Sequence, residues 1–232
     1  MEDFRDPATA QSWDADPIRR NPTRPEQLDI MLSVLEEMYE PGKAILDVGI
    51  GTGIIEEMIF ERIPGAYVVG VDGSPAMLEI AHRRLERFGG RYEVVVHELR
   101  EIGRLKLPER QYQVAISVQT IHNVEDEYKP PIFRFIYDAL ESGGLFLLLD
   151  RIAIDTPGLF GTYKSLWKRL NRMHSTTAGE GETFEEHVEQ VRTRGDLPAN
   201  LEQHLQWLRE AGFEAACLHL HGNRALFVAR KV

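Results

Sequence analysis

The stretch Asp47-Val48-Gly49-Ile50-Gly51-Thr52-Gly53 holds the residue types that let a backbone close around a ligand. Glycines at alternate positions permit a sharp turn and remove the Cβ atoms that would keep a bound molecule away. A second acid, Asp72, follows about 20 residues later, the separation at which a carboxylate at the next strand's tip accepts hydrogen bonds from both hydroxyls of a ribose. This pairing suits a dinucleotide and other adenosyl ligands alike, so the loop must separate them. A pyrophosphate-binding GxGxxG needs a glycine where this chain has Ile54. Glu56 and Glu57 at the start of the following helix would also be poor neighbours for two phosphates. The expected ligand is a nucleoside without phosphates.

A candidate for moving protons is His122, which follows the fourth apolar run. If a hydroxyl or protonated nitrogen is to be activated, an imidazole there is the natural general base. His174 and His187 are weaker candidates and read as exposed surface. The eight histidines are scattered and Cys217 is the single cysteine, so neither a zinc site nor an internal disulfide is expected.

These residues need a scaffold, and the apolar periodicity supplies one. Strand-like runs at 44–49, 67–71, 92–96, 114–118 and 145–149 alternate with helical spacings such as Ile54, Ile55, Met58 and Ile59. Ser74-Pro75 supplies a helix cap and a first-turn proline, Pro130-Pro131 opens another helix, and Gly143-Gly144 is read as ending it. Asn200 can cap a last helix ended by Gly212. Two strands then meet across His221-Gly222-Asn223-Arg224, too tightly for a parallel return. The expected fold is α/β and doubly wound: a mainly parallel seven-stranded sheet finished by a C-terminal antiparallel hairpin. Residues 1–25, with four prolines, read as an irregular arm on a single domain spanning 26–232. A helical cap is expected over about 153–198.

With those residues in place, the chain resembles the class I S-adenosylmethionine-dependent methyltransferases, a Rossmann-like family. ILDVGIGTG is similar to their first motif and VVGVDGSPAMLEIAHRRL to their second. YQVAISVQTIHNV, LESGGLFLLLDRI and LQWLREAGFEAACLHLHGNRALFVARK resemble the later segments in order. The likeness is closest to small, cap-bearing members, including relatives that handle carboxy-S-adenosylmethionine. It implies S-adenosyl-L-methionine as cofactor. Asp47, Gly49, Gly51 and Gly53 would surround the methionine portion, with Asp72 and Gly73 at the ribose and Ser74 and Met77 beside sugar and adenine. Glu98 and Leu99 would read the adenine edge, and Ser117 and Gln119 would line the methyl side. Trp13-Asp14 resembles an aromatic-acid pair that folds an arm over the cofactor, and Trp13, Tyr163 and Trp167 are candidate aromatic walls for substrate. Gln113 stands where the family usually has aspartate, and Glu98 where aspartate is commoner.

A formal net charge of −10 opposes general binding to nucleic acid, whose phosphates need Lys and Arg. Arg19, Arg20 and Arg24, and likewise Lys164, Lys168, Arg169 and Arg172, read as solvated surface, as do Arg192 and Arg194. No apolar run approaches the roughly 20 residues a membrane span needs. The expectation is a cytoplasmic enzyme transferring methyl groups to a small molecule. A non-catalytic adenosylmethionine-binding regulator, an NAD-dependent dehydrogenase and a tRNA-modifying enzyme are the alternatives.

Overall fold

The computed structural model describes residues 4–15, 22–176 and 181–232. Seven strands form one sheet: β1 (Ala44–Val48), β2 (Val68–Asp72), β3 (Tyr92–Val96), β4 (Tyr112–Val118), β5 (Leu140–Arg151), β6 (Phe213–His221) and β7 (Arg224–Lys231). Their order is β3-β2-β1-β4-β5-β7-β6, with β7 antiparallel to both β5 and β6 and the remaining pairs parallel. The sheet is therefore the one expected, and its first and fourth strands lie side by side at the point where the order reverses. Ligands of such sheets bind outside the strands' carboxyl ends at that crevice.

Helices cover both faces. Alternate residues of β1 point to opposite sides, so Leu46 joins a core with Phe133, Phe146 and Phe227 while Ile45 joins one with Leu28, Leu32 and Ile59. The first core is covered by α5 (Lys129–Ala139) and α8 (Leu201–Glu210). The second is covered by α2 (Arg24–Met38) and α3 (Ile54–Arg62). The helix α4 (Pro75–Leu85) is capped by Ser74, whose hydroxyl accepts from the Met77 amide. Asn200 and Gln203 form a reciprocal capping box on α8.

The N-terminal region departs from expectation. The expected irregular arm contains a helix, α1 (Pro7–Ala15), and α2 already begins at Arg24. Pro25 lies in the first turn of α2, where a missing N–H costs nothing. Leu28, Met31, Leu32 and Leu35 then form the buried stripe. Pro17, Arg19, Arg20 and Gly179 lie outside the described residues. Strand β5 also starts earlier than expected. Its Leu140 pairs with Tyr112 and its Leu145 with Val114, so Gly143-Gly144 forms a bulge inside the strand instead of a helix stop.

Between β5 and α8 lie α6 (Phe160–His174) and α7 (Phe184–Thr193), joined by a small cluster of Ile154, Phe160, Trp167 and Leu170. No described helix is long and apolar enough to cross a membrane.

Candidate active site

The turn after β1 is built from backbone that side chains would spoil. Gly49, Gly51 and Gly53 all have positive φ, at 99°, 55° and 76°. A Cβ on Gly49 would lie 2.2 Å from Thr120 Oγ1, so Gly49 is needed for packing as well as conformation. At Gly51 the nearest atom to such a Cβ is the Gly49 carbonyl oxygen at 3.9 Å, which leaves that side open to a ligand.

Asp72 ties the turn to the next strand. Its Oδ2 accepts from the Gly51 amide at 2.9 Å and its Oδ1 from the Ser74 amide at 2.8 Å. Burial pushes its carboxyl upward, and the Ser74 and Gly51 amides oppose that shift without cancelling it. Glu98 approaches from the end of β3, and a Cβ on Gly73 would come within 2.8 Å of Glu98 Oε1. Gly73 is thus what lets the second acid close in. Glu98 is paired with Arg5, and Leu99, half-buried, opens the short helical turn that follows. Ser74 Oγ also donates to the Phe4 carbonyl at 2.6 Å, and Met77 packs beneath Ala10 and Trp13.

Across the crevice stand a buried acceptor and a buried donor. Asp47 is 1% exposed and its Oδ1 has no partner. Burial and the facing Glu56 carboxyl push Asp47 well above the usual aspartate range, and burial raises Glu56 as well. Glu56 therefore turns inward toward Asp47, away from the solvent around the turn. Gln119, at the end of β4, holds a non-glycine φ of 55°, and its Nε2 is buried without a partner. Such strain on a polar residue marks a place where surroundings dictate the backbone. Ser117 is different: its hydroxyl already donates to the Val48 carbonyl at 2.7 Å and joins β4 to β1.

His122 sits beyond Gln119 and is 7% exposed. Its amide and Nδ1 engage the two oxygens of Asp150, at 2.8 and 2.5 Å. Burial alone would raise Asp150, but the charge and hydrogen bond of His122 help to carry it below the ordinary value. The other ring nitrogen lies 3.8 Å from Asp196, which pairs with Arg151 at 2.7 Å. The His122 carbonyl also accepts from the Leu197 amide, so this corner fastens the segment after α7 to the sheet.

The aromatic candidates separate. Trp13 is half-buried on α1, next to the glycine turn: Asp14 pairs with Arg84, and Arg84 donates to the Thr52 carbonyl. Trp167 is buried among Phe160, Leu170 and His187, with Tyr163 at the edge of that cluster. His187 is thus interior, contrary to its expected exposure, because aromatic rings enclose it. Arg24, expected on the surface, is 5% exposed. His174, Arg192 and Arg194 are exposed. Asp150, Asp196, Arg84 and Glu56's inward turn escape sequence reasoning, since each acts through a partner distant in the chain.

An acceptor at Asp47 and a donor at Gln119 complement an amino acid's ammonium and carboxylate, and Asp72 suits a ribose. The Arg84 guanidinium beside the turn is engaged by Asp14 and Thr52, with Glu56 and Glu57 close by. The Arg84 guanidinium is thus already engaged and is not offered to a phosphate at the turn. Among the described residues, no cluster of three His, Cys, Asp or Glu could hold a metal ion.

Comparison with known proteins agrees. Residues 45–144 match the model of a methyltransferase domain. The chain is 22% identical to the carboxy-S-adenosyl-L-methionine synthase of Nautilia profundicola, over 92% of this chain and 88% of that protein. It is 27% identical to the ubiquinone/menaquinone biosynthesis C-methyltransferase UbiE of Rhizobium leguminosarum, over 80% of this chain and 70% of that one. An O-methyltransferase family protein from Burkholderia thailandensis has the same fold, with a TM-score of 0.67 and 16% identity over 97% of this chain. This chain spans 60% of that protein's length. Glycine turn, strand-tip acid, sheet order and sequence relatives are all similar to those of S-adenosylmethionine-dependent methyltransferases, with residues 45–144 matching a methyltransferase domain.

Proposed function

We propose that the protein moves a methyl group from S-adenosylmethionine to a small-molecule acceptor in the cytoplasm, with nucleic acid outside its range. The observation that carries this reading is Asp72, which accepts from the Gly51 amide and so couples the ribose acid to the glycine turn. When bound, the cofactor supplies a sulfonium methyl already activated for displacement. The chain's own contribution is then to orient the acceptor and exclude water.

In this reading Asp47 and Gln119 hold the aminoacyl end, Gly49 and Gly53 shape the turn, and Asp72 with Gly73 positions the sugar. Ser74 and Met77 flank it, while Glu98 and Leu99 meet the base. Ser117 acts indirectly, by holding β4 against β1. His122 is the proton acceptor, with Asp150 fixing its ring so that Nε2 is left to take the proton. Residues 1–25 form the arm, 26–232 the domain, and α6 and α7 a cap within 153–198. Trp13 and Tyr163 border the acceptor, and Trp167 supports Tyr163 from inside the cap.

Calorimetry with S-adenosylmethionine, its demethylated product and NAD tests the assignment. The first two should bind and NAD should not, and Asp72→Ala should remove the binding. Unchanged affinity in that variant would contradict the reading. Retained cofactor binding without turnover over a broad acceptor panel would favour a regulator, and strongly salt-dependent tRNA binding would favour RNA modification.

A further inference from the structure

Arg24 begins α2 and is 5% exposed, yet no carboxylate lies against it among the described residues. Its one close neighbour of note is the Trp13 indole, whose centroid is 5.4 Å from the guanidinium carbon. A buried charge without a counter-charge is costly, and arginine is almost never this buried unless paired. The adjoining helix start does not neutralise it. No side chain caps the first turn of α2, and its positive dipole end reinforces the attraction for an anion; among the described residues of that turn the exposed Glu26 alone opposes it.

The location of this cation is informative. Trp13 is fastened to the glycine turn through Asp14, Arg84 and Thr52. On its other side, Gln27 of the same helix turn donates to the Arg224 carbonyl at 3.4 Å. Arg224 pairs with Arg151 at the end of β5, next to the Asp150 that holds His122. Arg24 is therefore linked through Trp13 to the helix fastened to the glycine turn and, through Gln27 of its own helix turn, to the strand ends beside Asp150. A guanidinium offers a planar fork of donors suited to a carboxylate or phosphate.

We propose that Arg24 anchors an acidic group, a carboxylate or a phosphate, carried by the methyl acceptor. The substrate class is accordingly a small organic acid or phosphate ester, with Trp13 covering its anchored end. This rests on the methyltransferase reading, and the test keeps the two apart.

The protein saturated with S-adenosylhomocysteine is titrated with benzoate, phenyl phosphate and neutral benzamide, followed by calorimetry and thermal shift. Wild type should bind the two anions and not the amide. Arg24→Gln should weaken anion binding at least tenfold, Arg24→Lys by less, and both should keep S-adenosylhomocysteine affinity within twofold. Ligand-free Arg24→Gln should melt no lower than wild type, because an uncompensated buried charge has gone. Anion binding that is absent in wild type, or equal in Arg24→Gln, would overturn the proposal while leaving the cofactor reading intact. A tenfold loss of S-adenosylhomocysteine affinity in Arg24→Gln would overturn it too, assigning the guanidinium to the cofactor's own carboxylate. Should wild type bind no S-adenosylhomocysteine, the methyltransferase reading itself falls. If Arg24→Gln does not fold, Arg24→Lys decides: undiminished anion affinity with the fork removed counts against the proposal.

Discussion

Asp14 takes hold of Arg84 with both carboxylate oxygens, at 3.0 and 2.9 Å, while the same guanidinium donates to the Thr52 carbonyl of the glycine turn. The N-terminal helix is thereby tied to the glycine turn, the proposed cofactor loop. Both side chains are about four-fifths buried, and the contact is two-pronged, so the pair is stronger than a typical surface bridge. Asp14→Asn should weaken S-adenosylmethionine binding by roughly 5- to 20-fold, about 1–2 kcal/mol, with little change in melting temperature. Calorimetry on the variant checks this; unchanged affinity would mean that α1 does not cover the cofactor. Although burial opposes it, Arg84 holds the Asp14 carboxyl below its usual value. The docking is therefore present above about pH 4 and lost as pH falls through the lowered value.

Asp47 and Glu56 have the opposite sign. Burial raises both carboxyls, and the facing Glu56 adds to the rise of Asp47 while the hydrogen bond from Asp47 partly offsets that of Glu56, so the folded protein keeps protons that the unfolded chain releases. Stability should be greatest below the ordinary carboxylate values near pH 4 and should fall as pH rises through the raised ones. Glu56→Gln replaces one acid by an amide able to donate to Asp47. Its decline with pH should be shallower, and at pH 8 it should melt higher, by about 2–4 °C for each kcal/mol recovered. Parallel pH profiles for wild type and variant in chemical denaturation would rule this out.

The reach of sequence reasoning here follows the range of the interactions. The glycine turn, the Asp72 strand tip, the Ser74 and Asn200 caps and the closing hairpin depend on neighbours a few residues away, and each is where its local pattern puts it. Helix α2 also had a local signal in Leu28, Met31, Leu32 and Leu35. The surrounding prolines masked it, because Pro25 is equally at home in a loop and in a first helical turn. The Arg24 burial, the Asp150–His122 pair and the inward Glu56 depend on packing between segments far apart in sequence. No spacing rule anticipates those.

Two glycines in the turn should respond differently to alanine. Gly49→Ala meets Thr120 and a φ of 99°, so folding itself should suffer, with a melting temperature many degrees lower. At Gly51 the Cβ meets open space at a φ of 55°, for a conformational cost of about 1–2 kcal/mol. Gly51→Ala should stay folded and lose most of its affinity for S-adenosylmethionine, since the new methyl group enters the ligand's space. Full affinity in folded Gly51→Ala would move the cofactor away from this turn.

Trp167 is 8% exposed, with His187 5.2 Å and Phe160 5.7 Å away between ring centroids. An indole so enclosed supports the packing of α6 on α7, and in the proposed reading it acts on substrate through its neighbours. Trp167→Ala should cost about 3–5 kcal/mol of cap stability and expose the cap to proteolysis. Trp167→Phe should restore packing and leave the acceptor's KM within about twofold. A large KM effect in the phenylalanine variant, with the cap intact, would return Trp167 to the substrate wall.

The pair of His122 and Asp150 allows base and anchor to be told apart. If His122 takes the acceptor's proton, His122→Gln should lower kcat by about 10²- to 10⁴-fold and leave cofactor affinity unchanged. Asp150→Asn should lower it as well, because the ring loses the carboxylate that fixes its tautomer. Asp196→Asn, which acts on the other nitrogen from 3.8 Å, should preserve turnover. An anchoring role predicts another pattern: all three variants melt lower, since each loosens the segment held by Asp196 and Leu197, while kcat for methylation of the acceptor stays within a few-fold of wild type. Breaking the buried pair costs stability in either case, so the melting curves alone do not discriminate. The contrast between His122→Gln and Asp196→Asn in kcat does, because only one of them removes the atom that would receive the proton.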